Sequence, residues 1–275
     1  MTKTFRIVTS AFFVALSSIS AFGQPLPAST SAQGFHSQVQ LLSGGKLGET
    51  WLAGIAITLD PGFKTYWRNP GESGLPPSFD WSASENVADI EVQWPAPERH
   101  EDAAGVAYVY SREITLPVVV KPKAADKPVK LVLTVDYGIC KDICIPAHAD
   151  LARPLTASGP DRAAIDEAMG RVPRKRDLGD PGDPAVLSVQ PKSGADAALT
   201  VSVRAPDGAR PVLFAEAPEN WYVSVTPDDE RNRFTLTVED RPKDASGPVP
   251  LVLTLVAGDK AVETHVSLDG DRLSR

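Results

Sequence analysis

The chain repeats itself. Residues Thr115–Val135 (TLPVVVKPKAADKPVKLVLTV) and Thr235–Leu255 (TLTVEDRPKDASGPVPLVLTL) align without a gap at an offset of 120, with 12 identities in 21 positions. Upstream, Ala96-Pro97-Glu98 matches Ala217-Pro218-Glu219 at an offset of 121. Strand composition alone produces an LVLT run by coincidence. It does not also place a basic residue-Pro-Lys, a Pro-Val and LVLT in one register. Such a duplication restricts the fold to two tandem copies of one unit, each with its own core.

That unit is built from strands. Apolar and polar residues alternate, as in Leu131-Val132-Leu133-Thr134-Val135, and Gly/Pro/Asp clusters bound the runs. Proline makes up 25 of 275 residues and is scattered, which interrupts helices and central strands and suits short strands joined by turns. The first copy is expected to hold strands over Gln38–Leu42, Trp51–Leu59, Val87–Trp94, Val106–Tyr110, Ile114–Val120, Val129–Ile139 and Ile145–Leu151. In the second they run over Val186–Gln190, Leu199–Arg204, Val212–Glu216, Trp221–Thr226, Phe234–Glu239, Leu251–Ala257 and Val262–Leu268. The fold class is all-β: two antiparallel sandwiches, 24–156 and 185–275. Residues 157–184 read as a linker with a short helix at Asp161–Met169, stopped by Gly170, and a solvated basic run, Arg171–Arg176. The stretch Tyr66–Pro77 (YWRNPGESGLPP) reads as an irregular loop because of its prolines and glycines.

Residues 1–23 have the order of a secretory signal: Lys3 and Arg6, an apolar run from Ile7 to Phe22, then Ala21 and Gly23 at the −3 and −1 positions of a cut before Gln24. Serines interrupt the run, which is too short for a bilayer span, and the best later segment, Val249–Val256, is only strand length. The expectation is a periplasmic protein without membrane insertion. Removing the signal takes two cations and moves the formal charge from −7 to −9, an acidity that argues against nucleic acid as partner.

The copies differ at one turn. The second closes at Gly258-Asp259, a tight hairpin, where the first carries Tyr137-Gly138-Ile139-Cys140-Lys141-Asp142-Ile143-Cys144-Ile145-Pro146. Chemistry therefore belongs to the first copy, and its two cysteines admit three readings. On a helix, Cys140, Cys144 and His148 share a face and could hold copper or zinc. Gly138 and Pro146 argue against a helix there. On a hairpin, the cysteines oppose each other at a Cα distance of roughly 4.5–5.5 Å, within reach of a disulfide. As a staple, a loop this short removes only about 2 kcal/mol of unfolded-chain entropy, against about 4.7 kcal/mol for a hundred-residue loop. Two sandwiches of this size bury cores without it. The third reading is a reversible dithiol, since short-loop disulfides between constrained strands are strained and easily reduced. Lys141 favours thiolate and Asp142 opposes it, so local charge does not choose between the two sulfurs. Exchange is the favoured reading of the spacing; a copper-binding or protein-binding sandwich with an inert disulfide is the alternative. No G-x-S-x-G, Walker, G-x-G-x-x-G or H-E-x-x-H motif is present, and Glu101-Asp102 and Asp228-Asp229-Glu230 read as solvated turns.

Gly62-Phe63-Lys64-Thr65-Tyr66-Trp67-Arg68, Ile114-Thr115-Leu116-Pro117-Val118 and the Tyr137–Pro146 hairpin resemble the N-terminal periplasmic domain family of the DsbD thiol:disulfide interchange proteins. The similarity is closer to the ScsB-like, copper-tolerance branch, which carries two such sandwiches. It covers most of 35–155. The resemblance implies an immunoglobulin-like fold and a protein-disulfide reductase relay without a cofactor. The cysteine pair takes electrons from a membrane reductase and passes them to periplasmic disulfide proteins. By motif match Cys144 is the sulfur that forms mixed disulfides and Cys140 the one that resolves them. The family's reductase and thioredoxin-like parts are not in this sequence, so thioredoxin-like or membrane-reductase partners are expected to be separate. This chain has three residues between its cysteines where the family's interchange protein has five. The stretch matching the family's aromatic cap loop, His100–Gly105, has no aromatic. Tyr66 and Trp67 are the candidates to cover the pair instead, or are core residues.

Overall fold

The structure, a computed structural model, describes residues 29–103, 105–194, 197–243 and 246–269; the expected signal, 1–23, lies outside them. The first copy contributes β1 (Ser31–Gly34), β2 (Ser37–Leu47), β3 (Thr50–Leu59), β4 (Lys64–Gly71), β5 (Ser78–Asp80) and β6 (Val87–Val92). It continues with β7 (Glu98–Asp102), β8 (Gly105–Ser111), β9 (Glu113–Pro122), β10 (Lys130–Cys140) and β11 (Cys144–Pro154). After α1 (Arg162–Gly170) and β12 (Arg174–Lys175), the second copy contributes β13 (Ala185–Pro191), β14 (Ala198–Arg204), β15 (Val212–Glu216) and β16 (Tyr222–Pro227). It ends with β17 (Arg233–Asp240), β18 (Pro248–Ala257) and β19 (Lys260–Asp269).

Alternation decides which face each strand buries. In β10, Leu131, Leu133 and Val135 are wholly buried while Thr134 and Asp136 turn outward. In its duplicate β18, Val249, Leu251 and Leu253 are buried in the same way. The strands β1-β2-β3-β9-β6 form one sheet of the first copy and β11-β10-β4-β8-β7 the other, with β5 added on β10. In the second copy β13-β14-β17-β16 and β12-β19-β18-β15 are the two sheets. The duplicated segment is β9–β10 in one copy and β17–β18 in the other, and in both it passes from one sheet to the opposite one. The fold is two tandem immunoglobulin-like β-sandwiches with one short helix. No helix among the described residues is long and apolar enough to cross a membrane.

Two stretches differ from the sequence expectation. The Tyr66–Pro77 stretch is a strand over its first half: Lys64, Thr65 and Tyr66 pair with Ser111, Tyr110 and Val109, and the ladder resumes only at Gly71↔Ala107. Pro70 falls inside this bulge, where a missing N–H breaks no ladder bond, and Gly71 takes the φ of +82° that returns the strand to register. The segment between the sandwiches is packed at both ends. Ile165 of α1 is wholly buried against Leu42 and Leu52 of the first copy, and Arg174–Lys175 pair in parallel with Val262–Glu263 of the second.

The two copies also meet directly. Alternation in β15 sends Leu213 and Ala215 into the second core and Phe214 into the first. Phe214 is 1% exposed and meets the Trp67 and Tyr108 rings edge-on, with centroids 5.9 and 4.8 Å away.

Candidate functional site

Strands β10 and β11 form an unbroken antiparallel ladder from Lys130↔Pro154 to Cys140↔Cys144, closed by the three-residue loop Lys141-Asp142-Ile143. The cysteines are directly opposed, both are free thiols, and their Sγ atoms lie 2.7 Å apart. Cys140 is half-buried and Cys144 exposed, with Ile143 beside it 75% exposed. The hairpin geometry is the one the three-residue spacing suggests; a helix is absent here.

Tyr66 completes the site. Strand β4 runs beside β10 through the Lys64↔Cys140 pair, and Thr65 Oγ1 donates to the Gly138 carbonyl at 2.8 Å. The Tyr66 ring lies across Gly138: a Cβ there would stand 2.9 Å from Tyr66 Cδ2 and 2.8 Å from Leu75 Cβ, so this approach needs glycine. The ring is buried, and its hydroxyl is 2.7 Å from Cys144 Sγ. Trp67, next along the strand, faces the opposite way, is wholly buried, and packs toward the second copy. Of the two candidate aromatics, then, only Tyr66 covers the cysteines. The His100–Asp102 stretch belongs to the β7–β8 hairpin.

Burial pushes the Cys140 thiol up from its ordinary value, and its bond with Cys144 adds to this. The Tyr66 hydroxyl and the Lys64 charge pull it back toward thiolate. Burial, followed by the two sulfurs, drives Tyr66 far above the normal phenol range. Its hydroxyl therefore stays protonated and is available as a donor to a charged sulfur.

Geometry does not bring His148 to the cysteines. His148 sits opposite Asp136, four residues along the extended β11 from Cys144, a separation of roughly 13 Å at about 3.3 Å per residue. Its Nδ1 is 2.7 Å from Asp136 Oδ1 and its Nε2 3.4 Å from Asp150 Oδ2. These bonds, Asp136 first, push the imidazole above its usual value. Extended strands keep apart what a helix would have joined. Among the described residues, no cluster of three or more His, Cys, Asp or Glu could hold a metal ion.

An aromatic cluster sits on the rim of the hairpin. Lys141 Nζ lies 5.6 Å from the Phe63 centroid, Phe63 stacks on His36 at 4.2 Å, and Phe35 meets Phe63 edge-on at 6.2 Å. Phe35, Leu75 and Ile143 are all exposed. Phe35 and Phe63 come from different loops, so no local pattern could have paired them with the hairpin.

The family model described as thiol:disulfide interchange protein DsbD, N-terminal, matches residues 36–156, the part of the chain that holds this hairpin. Residues 36–156 are similar to the DsbD N-terminal family. The solved N-terminal periplasmic domain of ScsB from Proteus mirabilis has the fold of both copies together. It aligns over 88% of this chain and 99% of its own, at 20% identity and a TM-score of 0.64. An endo-fucoidan hydrolase of glycoside hydrolase family 107 aligns over 76% of this chain and 34% of its own, at 10% identity and a TM-score of 0.25, below the level of a shared fold. A search of curated proteins finds no match. The DsbD N-terminal match ends at Thr156, before α1, so the family model accounts for the cysteine hairpin and Tyr66 but not for the second sandwich.

Proposed function

We propose that the chain is a periplasmic thiol–disulfide exchange module that passes electrons from a thioredoxin-like or membrane reductase partner to periplasmic disulfide proteins. The observation that carries this reading is the pair of directly opposed free thiols at an exposed hairpin tip, with a buried tyrosine hydroxyl on one sulfur, within the stretch that the DsbD N-terminal model matches. Residues 1–23 direct export, 24–156 form the redox unit, 157–184 join it to the second sandwich, and 185–275 carry no cysteine.

The exposure difference supports Cys144 as the sulfur that meets the partner. Its thiolate attacks a partner disulfide, the partner's S–S bond breaks, a mixed disulfide forms and one partner thiolate leaves. The Cys140 thiolate then attacks Cys144 Sγ, closes the Cys140–Cys144 disulfide and expels the second partner thiolate. Two electrons pass to the partner, whose sulfurs take up two protons. A reductase dithiol reverses these steps and restores the pair. The exposed Ile143, Phe35 and Leu75 offer an apolar rim to a protein partner. A link to copper tolerance rests on the ScsB-like resemblance and needs no metal on this chain.

Trapping tests the reading. Cys140→Ser should accumulate a covalent adduct through Cys144 with a thioredoxin-like partner under mild oxidation, and Cys144→Ser should not. Adducts through Cys140 alone would reverse the roles. A Cys140–Cys144 couple with a potential far below about −300 mV, and no adduct with either variant, would leave an inert staple.

A further inference from the structure

We infer that the second sandwich holds Tyr66 on Cys144 through strand β4, so that residues remote from the hairpin set the reactivity of the cysteine pair. The inference rests on the exchange reading for its consequence and on the junction for its mechanics.

The ring of Tyr66 packs on Ala107, Val109 and Cys140 of its own sheet, but the backbone ladder that carries it is short. On the β10 side the ladder with β4 consists of the single pair Lys64↔Cys140, and on the β8 side it breaks directly after Tyr66↔Val109. The residues in the break are the ones that grip the second sandwich. Trp67 stacks edge-on with Phe214 of β15. Arg68 donates from Nε and Nη2 to both carboxylate oxygens of Glu216, at 2.9 and 2.6 Å, and again from Nη2 to Glu263 Oε2 at 2.6 Å. Its guanidinium lies 4.7 Å from the Trp67 centroid, and Asn69 Nδ2 donates to the Ala215 carbonyl at 3.2 Å.

The ion pairs are not loose surface contacts. The Arg68, Glu216 and Glu263 side chains are 28%, 20% and 12% exposed, and the Glu216 pair is a two-point fork that fixes the guanidinium plane. Removing either side leaves half-buried charge unpaired, which frees the bulge. Only one peptide bond separates Trp67 from Tyr66. A bulge that leaves the second sandwich takes with it the support that presses the Tyr66 ring on Gly138 and its hydroxyl on Cys144. The grip falls at the break in β4, the strand that pairs with Cys140 and carries the tyrosine whose hydroxyl reaches Cys144.

The test changes the second sandwich and reads the first. The full mature chain carrying Glu216→Gln and Glu263→Gln, with Arg68→Ala as the reciprocal variant, is equilibrated with reduced and oxidised glutathione. Each should shift the dithiol–disulfide equilibrium constant about fivefold toward the disulfide, the loss expected for one hydroxyl–sulfur bond. Tyr66→Phe should shift it equally, and combining it with the Glu216/Glu263 pair should add nothing, because both act through one bond. Near neutral pH, iodoacetamide should also alkylate the phosphine-reduced variants several-fold more slowly than the native chain, because the hydroxyl that favours thiolate is lost. Native equilibrium and alkylation in the Glu216/Glu263 variant, or a shift that adds to that of Tyr66→Phe, overturns the inference. If glutathione fails to reduce the native pair at all, it is the exchange reading that falls, and alkylation of the phosphine-reduced proteins decides the junction's role alone.

Discussion

Replacing Phe214 with Ala tests whether the two sandwiches are one packed body. Phe214 belongs to a strand of the second sandwich, yet it is 1% exposed within the first core. A buried Phe removes about 150–250 Å² from water, worth about 4–6 kcal/mol at about 25 cal/mol per Å². Alanine retains part of that, and core Phe→Ala changes cost about 3–5 kcal/mol. Two edge-on partners, Trp67 and Tyr108, keep this site off the lower end of the range. The expected loss is therefore about 4 kcal/mol. With a urea slope of about 2–3 kcal/mol/M, the midpoint should fall by roughly 1.5 M. Urea unfolding followed by tryptophan fluorescence and far-ultraviolet circular dichroism measures it, because Trp67 reports on the junction. The exposed Leu47→Ala serves as the control and should stay within about 0.5 kcal/mol. A loss below about 1 kcal/mol at Phe214 refutes the reasoning, since it means the ring is not a shared core residue.

Other outcomes follow from the hairpin and the junction. In a Cys144→Ser background, Tyr66→Phe should move the pH profile of Cys140 alkylation upward, because the hydroxyl is one of the groups that favour its thiolate; an unchanged or lower midpoint counts against that bond. Ile143→Asp should slow exchange with a thioredoxin-like protein about tenfold while leaving reduction by dithiothreitol unchanged, and equal slowing of both would mean the loop's fold was damaged. Burial pushes Glu263 up, but bonds from Arg68 and His265 more than offset it, so the carboxyl lies below its ordinary value of 4.5. A depressed carboxyl contributes stability above the unfolded value and loses it as the pH falls through the folded one. The thermal midpoint should therefore drop below pH about 4.5 less steeply in Glu263→Gln than in the native chain, and parallel curves would exclude Glu263 as a source of the acid sensitivity.

What the sequence determined by itself is what depends on neighbours along the chain. Alternation in Leu131–Val135 and Leu251–Leu255 marks strands because side chains on successive residues face opposite ways, whatever the partner strand. The repeat required two copies of one sandwich, and the three-residue spacing between Cys140 and Cys144, with Gly138 and Pro146 beside it against a helix, favoured opposing them on a hairpin. Tertiary structure decided the rest. Tyr66–Pro77 reads as loop because its prolines and glycines are local facts, whereas the partners that draw its first half into a strand, Val109 on Tyr66 and Ala107 on Gly71, lie more than thirty residues on. Alternation says that Tyr66 and Trp67 part company; only the pairing of β4 beside β10 says which of them meets the sulfur. The same holds for Phe214, whose local pattern matches any half-buried strand residue. It becomes part of the first core only because the second sandwich docks there, bringing Glu216 and Glu263 onto Arg68 from 148 and 195 residues away. Contacts between distant segments leave no periodic trace in a single sequence, and in this protein they carry both the cover on the cysteines and the grip between the sandwiches.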